Sequence, residues 1–473
     1  MGNVKGEHGV KTYQDFLKVA DKTEKERMAF VSSLISEHKA SALCRNAVIA
    51  HQYFRRHNVT IETYQKLLYT VTGKAVPDNY SANWKMKHAF FKKIVVQEVQ
   101  HLLGNGVNWS TDNIEQKLGI DIDTKVMRAA KKALIGSVSF GFYNLDHVDI
   151  FDVTEYAPLY DEEDGSLKSG VRFWQIDANK PLRATLYELD GYTDYIWHNG
   201  EGSILHDKRP YILKVRQSEA DGTEIYDFAN YPTFPIVPLW ANEEHQGELD
   251  GIREQIDCYD LIKSGFANDV DDASMIYWTI QNAGGMDDVD LAKFVERMHT
   301  VKAAAVDSEG ATAEAHTMDV PYASRDALLD RIKKDLYSDA MALDTETMST
   351  SAATATEIKA AYKPLDSKCD DLEYCVIDWL QKILDLAGIE GENPTFTRDY
   401  VVNKAEEINS VLAGAQYLTE DYVTRKIMTI LGDGDQVEDV IKERIAEDLD
   451  MDFEEEQPPQ EQTQVQEQTA QEQ

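Results

Sequence analysis

The sequence predicts an α+β fold, on three observations. Apolar residues recur at helical spacing towards both ends of the chain, and residues 148–240 are rich in β-favouring and aromatic side chains broken by turn signals. Two well-marked amphipathic helices then bracket a short mixed segment. Of the 473 residues, 48 are Lys or Arg and 84 are Asp or Glu, so the formal net charge is −36. Hydrophobic residues make up 42%, enough for cores in two to four domains at roughly 100 to 200 residues each.

Tyr13 to about Leu103 is mostly helical, with apolar positions at Phe30, Leu34 and Ile35 and again at Phe90, Ile94, Val95, Val99 and Leu102. Gly104 and Gly106 stop the second run. A helix over Thr124 to Ile135 leads through Gly136 into the alternating SVSFGFYNL, which reads as a strand. In the β region the clearest element is Thr185 to Trp197, where Asp190-Gly191 signals a two-residue hairpin. Tyr160 to Val171, carrying DEEDG, predicts a second hairpin. The prolines at 232, 235 and 238 keep the chain extended into the next helix.

That helix carries Leu249, Ile252, Ile256, Tyr259, Ile262 and Phe266 every three or four residues. A strand in MIYWTI and a helix over Asp287 to His299 follow. Pro321 and the N-cap candidate Ser324 start a second amphipathic helix, striped by Leu328, Leu329, Ile332, Leu336 and Met341. Asp344 to Thr356, DTETMSTSAATAT, is small and polar between helices and reads as a loop. Glu357 to Ala387 is a third long helix, with Leu372, Val376, Trp379, Leu380, Ile383 and Leu384 on its buried face and Pro364 expected to kink or interrupt it. Helices over about 403–449 complete an α-helical end. The segment from Asp448 to Gln473 has no Lys or Arg and almost nothing apolar, so it is expected to be a disordered acidic tail.

The chemistry sought in the sequence is absent. No GxxxxGK[ST] or GxGxxG string supports nucleotide binding. Gly136 to Gly141 is one residue longer than GxSxG and lies on a strand, and Ser36 to Lys39 fits SxxK without SDN or KTG strings elsewhere. HExxH is missing, and Val437 breaks the calcium-loop pattern begun at Asp433. Asp269, Asp271 and Asp272 read as a solvated acidic cluster. No catalytic residue, metal or cofactor is assigned, and the chain is expected not to be an enzyme. Cys44, Cys258, Cys369 and Cys375 fit neither a zinc pattern nor a disulfide framework, so reduced thiols are expected. No apolar run of about 18 residues exists and the opening MGNVKGEHGVK lacks a signal-like stretch, so neither a membrane span nor that route of secretion is expected. Lys85, Lys87, Lys92 and Lys93, with His88, Trp84, Phe90 and Phe91, form a local basic patch. It suits DNA contact, or an interface with an acidic neighbour, which the global charge favours.

The order of elements, with three strings, resembles the portal proteins of tailed bacteriophages, closest to the siphophage branch. The strings are HLLGNGVNW before a helix ending ALIGSVSFGFYNL, NEEHQGELDGIREQIDCYDLIKSGFANDVDDAS, and TSAATATEIKAAYKPLDSKCDDLEYCVIDWLQKILDLAG. The likeness covers roughly 45–447. It departs from the family at Pro364, and in an Ala- and Thr-rich loop where many relatives carry Gly. The resemblance implies an α/β wing over 1–246, stem helices at 247–268 and 323–343, and a small mixed clip over 269–322. It further implies a tunnel loop at 344–356, a long connecting helix at 357–385 and a helical crown at 386–449, ahead of the acidic tail at 450–473. It also implies a homo-oligomeric ring, usually of twelve subunits, at one capsid vertex, assembled in the host cytoplasm and carried in the virion. Double-stranded DNA would pass through it non-specifically during packaging and ejection. The implied partners are the terminase large subunit, head-tail connector or adaptor proteins, and the major capsid and scaffolding proteins.

Under that resemblance the DNA-facing candidates are Asp344, Thr345, Glu346, Met348, Ser349, Thr350 and Ser351. The stem-packing residues are Ile252, Ile256, Tyr259, Ile262, Leu328, Ile332 and Leu336. An acidic lumen would repel phosphates and let DNA slide. The competing readings are a non-portal head-tail adaptor or scaffold, which is usually much shorter, and a nuclease or protease, for which the residues supply no constellation.

Overall fold

The fold is given by a computed structural model, which describes residues 11–69, 73–78, 83–111, 114–217, 224–273, 277–281, 289, 293, 296, 312–316, 322–348, 355–398, 400, 404–432, 437, 438 and 440–442. The chain divides into two units. One comprises Met1–Thr347 with Tyr362–Asp399, the other Met348–Ala361 with Tyr400–Gln473.

The first unit begins with helices whose starts are set by capping boxes. Thr12 caps α1 (Tyr13–Ala20) and Thr23 caps α2 (Glu24–Ala40), with Asp15 and Glu26 reaching back to the cap backbone. After α3 (Ala42–Phe54) and α4 (Val59–Thr63) come a ribbon of β1 (Leu67–Tyr69) and β2 (Ala75–Pro77), and then α5 (Phe90–Leu103). The apolar stripe expected on α5 is the buried one: Ile94, Val95, Val99 and Leu102 are all inside. The short β3 (Val107–Asn108) and α6 (Glu115–Leu118) lead into α7 (Ile122–Gly136), whose Ala129, Ala130 and Ala133 let it pack closely under α3 and the following strands.

The β region resolves into separate sheets. β4 (Val138–Asn144) and β5 (His147–Asp152) pair as a hairpin. Five strands, β6 (Tyr156–Tyr160), β7 (Leu167–Trp174), β8 (Leu182–Glu188), β9 (Gly191–His198) and β10 (Glu201–Arg209), form an antiparallel meander in chain order. β11 (Ile212–Gln217) and β12 (Glu224–Ala229) make a two-stranded ribbon, and β13 (Ile236–Trp240) returns to the free side of β4. Both predicted hairpins exist, but one is displaced. Glu188 pairs with Gly191, so the loop is Leu189-Asp190 and not Asp190-Gly191. Gly191 serves a different need: at φ 141° it lies where a Cβ would meet the Arg209 carbonyl at 2.4 Å, which requires glycine in the strand itself.

Phe16, Phe30, Val31, Leu34 and Ile35 of α1 and α2 cover one face of the meander, meeting Leu159, Val171, Phe173, Leu186 and Tyr195. Each such side chain fully buried contributes about 1.5–3 kcal/mol. An aromatic cluster that includes Phe140, Phe142, Phe151, Tyr156 and Tyr187 fills the space between β4–β5 and the meander.

Beyond β13 come α8 (Arg253–Ala273), the paired β14 (Tyr277–Gln281) and β15 (Thr312–His316), α9 (Tyr322–Asp339), the single turn α10 (Thr345–Met348) and α11 (Ala355–Ala387). The strand in MIYWTI is thus β14. The helix expected over Asp287 to His299 lies largely outside the described residues, as does the acidic tail wholly. α11 runs unbroken through Pro364, contrary to the interruption expected there. Proline forgoes one N–H bond, and burial of Tyr362, Leu365, Cys369, Leu372, Val376 and Trp379 along one face outweighs it. Trp379 lies against the three-stranded sheet, its Nε1–H donating to the Val237 carbonyl at 3.1 Å. A Cβ on Gly141 would fall 2.4 Å from its ring. Gly141→Ala is therefore expected to cost about 1–3 kcal/mol by overpacking, read as a lower urea midpoint. An unchanged midpoint would contradict this packing.

β16 (Thr395–Phe396) closes the first unit by pairing with β3. The second unit contains α12 (Lys404–Gly414), a 3-10 turn (Ala415–Tyr417) and α13 (Glu420–Leu431), ended by Gly432 in the left-handed conformation. Arg425 pairs with Glu438 at 2.5 Å.

Candidate functional site

The candidate site is the helical hairpin of α8 and α9 together with its root in the body. The helices run antiparallel: Gln255 near the start of α8 donates to Asp339 at the end of α9 at 2.5 Å. At the other end Arg325 pairs with Asp269 at 2.5 Å and lies over the Phe266 ring, which Tyr322 meets edge-on. Of the predicted packing residues, Ile252, Ile256 and Leu336 are buried, while Tyr259, Ile262 and Ile332 are half-buried. Leu328 is 47% exposed, contrary to its expected place in the stripe. Consecutive helical residues diverge by about 100°, so Leu328 and Leu329 cannot both face inward; Leu329 does.

The inner face of α8 is polar, which the apolar stripe did not reveal. Asp260, Ser264 and Asn268 are all buried. Asn268 Oδ1 accepts from the Trp84 N–H at 2.7 Å, Ser264 Oγ from Met86 N–H at 2.9 Å, and Asp260 Oδ1 from His88 N–H at 3.1 Å. Four residues of helix rise about 6 Å and two of extended chain span about 6.6 Å. Every fourth residue of α8 therefore meets every second amide of the segment running antiparallel to it. Asp260 also accepts from Asn58 Nδ2 and stands 2.7 Å from His88 Nδ1. Asp257 accepts from Tyr53 at 2.5 Å and Thr60 at 2.7 Å. The sequence signal was present as polar residues at i, i+4 and i+8, but polar side chains on a helix ordinarily face solvent. Ser264→Ala, which removes the acceptor of the Met86 N–H, is expected to destabilise the hairpin's attachment by about 1 kcal/mol. Hydrogen exchange at Met86 checks it, and undiminished protection there would contradict the contact.

The basic patch is engaged within the chain. Lys85 Nζ donates to the Glu62 carbonyl at 2.6 Å, and Lys87 pairs with the Glu62 carboxylate at 2.7 Å. Lys92 lies over the Phe54 ring, and Lys93 stands 3.9 Å from Glu346. Phe90 and Phe91 are core residues, whereas Trp84 is exposed.

The segment expected as a loop over 344–356 is helical at its start. Asp344 accepts from the Glu346 N–H at 3.2 Å and heads the turn Thr345–Met348, and residues 355 and 356 already belong to α11. Ser349, Thr350 and Ser351 lie outside the described residues. Lys333 pairs with Asp344 at 3.3 Å and Glu346 at 2.5 Å, holding the Glu346 carboxyl below its ordinary pKa. Gln97 clamps the chain just before, donating to the Leu343 carbonyl at 3.0 Å and accepting its N–H at 2.9 Å.

At the root lies a buried charge cluster. Lys368 of α11 reaches Glu98 of α5 at 2.9 Å, pairs with Glu248 just ahead of α8, and donates to the Ala340 carbonyl just past α9 at 3.1 Å. Beside it His101 pairs with Asp366 at 2.9 Å, and Arg398 reaches Asp366, Asp370 and Glu373.

Among the described residues no cluster of metal-ligating side chains occurs, and no helix is long and apolar enough to cross a membrane. Ser139 is a buried strand residue donating to the Ala129 carbonyl at 2.9 Å, and Ser36 back-bonds to Ser32 at 3.0 Å. All four cysteines are free; Cys44 and Cys369 are buried and Cys258 is exposed.

A family model described as "Phage portal protein, SPP1 Gp6-like" matches residues 50–416. A portal protein of Bacillus phage SPP1 is 24% identical over 423 residues, covering 81% of this chain and 79% of that protein. A portal protein of Clostridium phage phiCD119 is 28% identical over 186 residues, covering 37% of this chain and 41% of that one. The family match spans the hairpin, its root and the segment after α9.

Proposed function

This chain belongs to the SPP1 Gp6-like family of phage portal proteins, and on that premise we propose that it forms a homo-oligomeric ring, of about twelve copies, at one capsid vertex. Double-stranded DNA is packaged and ejected through its centre. The observation that carries this reading is the extent of the family match, residues 50–416 of the 473. Residues 1–246 serve as the wing, α8 and α9 as the stem, the segment between them as the clip, 344–356 as the tunnel loop, and the helical end from about 386 as the crown. The clip meets the terminase during packaging and connector proteins afterwards. The major capsid and scaffolding proteins surround the ring, which assembles in the host cytoplasm and remains in the virion. The protein carries no catalysis of its own, and the motor's ATPase lies in a separate subunit.

The physical case is electrostatic. DNA adheres where Lys and Arg release counterions from phosphates, so a conduit needs a surface poor in free cations. The net charge of −36 supplies that globally. At the loop, Asp344 and Glu346 neutralise Lys333, and residues 344–356 contain no Lys or Arg. The test is packaging kinetics with Ser349, Thr350 and Ser351 all replaced by Lys. A several-fold slower rate with rings intact is expected, and unchanged kinetics would contradict a DNA-facing role for the segment.

A further inference from the structure

The entry and exit of the α8–α9 hairpin are tied to the body at one buried point. Glu248 stands at the entry, its backbone N–H held by the Leu134 carbonyl at 2.9 Å, and Ala340 stands at the exit. Lys368 reaches both and, at 2.9 Å, also Glu98, which is only 1% exposed. The adjacent Gln97 holds Leu343, so consecutive residues of α5 grip the end of the hairpin and the cation that secures its start. One ammonium thus donates hydrogen bonds to the Glu248 carboxylate and the Ala340 carbonyl and stands in ion-pair contact with Glu98, joining three parts of the chain.

We propose that Lys368 is the positioning residue of the hairpin, fixing both of its chain crossings against α5 and α11, and that one proton on Glu98 keeps the site balanced in charge. With both carboxylates ionised the site would hold two negative charges against one positive, one of them on the buried Glu98. With Glu98 neutral it holds one of each. The groups facing Glu98 agree with this. Burial and then the Glu248 charge push its pKa up to about 8, with Lys368 opposing them. Burial lowers the Lys368 pKa, yet Glu98 and Glu248 outweigh it and leave it above its ordinary value. Cys369, whose thiol faces the Glu98 carbonyl, is held protonated by burial, and His101 on the same helix is turned to Asp366. Glu98 therefore stabilises the root fully below the ordinary carboxyl pKa of 4.5, and that contribution is lost as pH rises through about 8. The geometry stands by itself; the consequence, that this residue sets the tilt of the stem in a ring, rests on the conduit reading above.

The test is hydrogen exchange on the full-length chain, with intrinsic rates divided out, from about pH 7 to about pH 9.5. Wild-type amides of α8 and α9 should lose protection as pH rises through about 8, and Glu98→Gln should remove that step. Lys368→Met should speed exchange of these amides about tenfold or more at pH 7 while the β6–β10 meander stays protected, with Lys368→Arg restoring part of the loss. Equal acceleration in the meander, or a pH step that survives in Glu98→Gln, would overturn the proposal. The ring mass is recorded on the same samples. A pH step without rings, even with capsid and scaffolding proteins added, overturns the conduit reading and keeps this inference, and rings without the step do the reverse.

Discussion

Trp379→Ala is expected to destabilise the first unit by about 3–5 kcal/mol. The indole is fully buried, lies over Gly141 of β4, and donates to the Val237 carbonyl of β13 at 3.1 Å. Its removal leaves a cavity that a backbone held in a three-stranded ladder cannot collapse to fill, and it strands a buried carbonyl. Urea unfolding with a near-unchanged slope and a much lower midpoint checks it. A loss below about 1 kcal/mol would mean that α11 does not depend on this contact for its seat on the sheet. Trp379→Phe, which refills most of the volume without the N–H, should fall between the two.

Asp260→Ala should cost about 3 kcal/mol or more, with its effect concentrated where α8 meets the body. The carboxylate is fully buried and serves the His88 N–H, the His88 ring and Asn58 Nδ2 together. Truncation removes the acceptor of the His88 N–H and one of the two acceptors of the buried Asn58 amide, the more expensive side of hydrogen-bond energetics. The expected result is lost protection across residues 84–88 and the middle of α8 before the meander is affected, read by hydrogen exchange. Asp260→Asn keeps an acceptor and should cost less. Equal costs for the two variants would show that shape, not the hydrogen bonds, holds the segment.

Local signals carried most of the fold. The apolar stripe of α5, the run SVSFGFYNL and the β6–β7 hairpin each act over a few residues, and each of these stands where its pattern places it. The departures have long-range causes. The β8–β9 turn sits one residue earlier than Asp190-Gly191 suggests, because the glycine is needed against Arg209, far from the turn in sequence. Pro364 sits within an unbroken helix because the burial that stabilises α11 is tertiary. Thr345–Met348 is helical although its residues read as loop, since Asp344 can head a turn.

The candidate site was legible only in part. Apolar spacing located both helices of the hairpin, including Ile256 and Leu336, although α8 starts at Arg253, after Leu249 and Ile252 of the expected stripe. It could not locate the buried polar residues of α8, whose partners at Trp84, Met86 and His88 lie more than 170 residues away in sequence. Nor could it join Lys368 to Glu98 and Glu248, since nothing in a lysine's local sequence tells a solvated side chain from one that closes a hairpin. The same holds for Lys85, Lys87, Lys92 and Lys93, which read as a patch in sequence and divide among Glu62, Phe54 and Glu346 in the fold.

The most direct test of the central claim is native mass spectrometry of the full-length protein, with negative-stain images of the same sample. The conduit account predicts a closed ring, about twelve copies of the 53.6 kDa chain, around a central hole. A monomer or dimer that persists at high protein concentration, and with capsid and scaffolding proteins added, would contradict it.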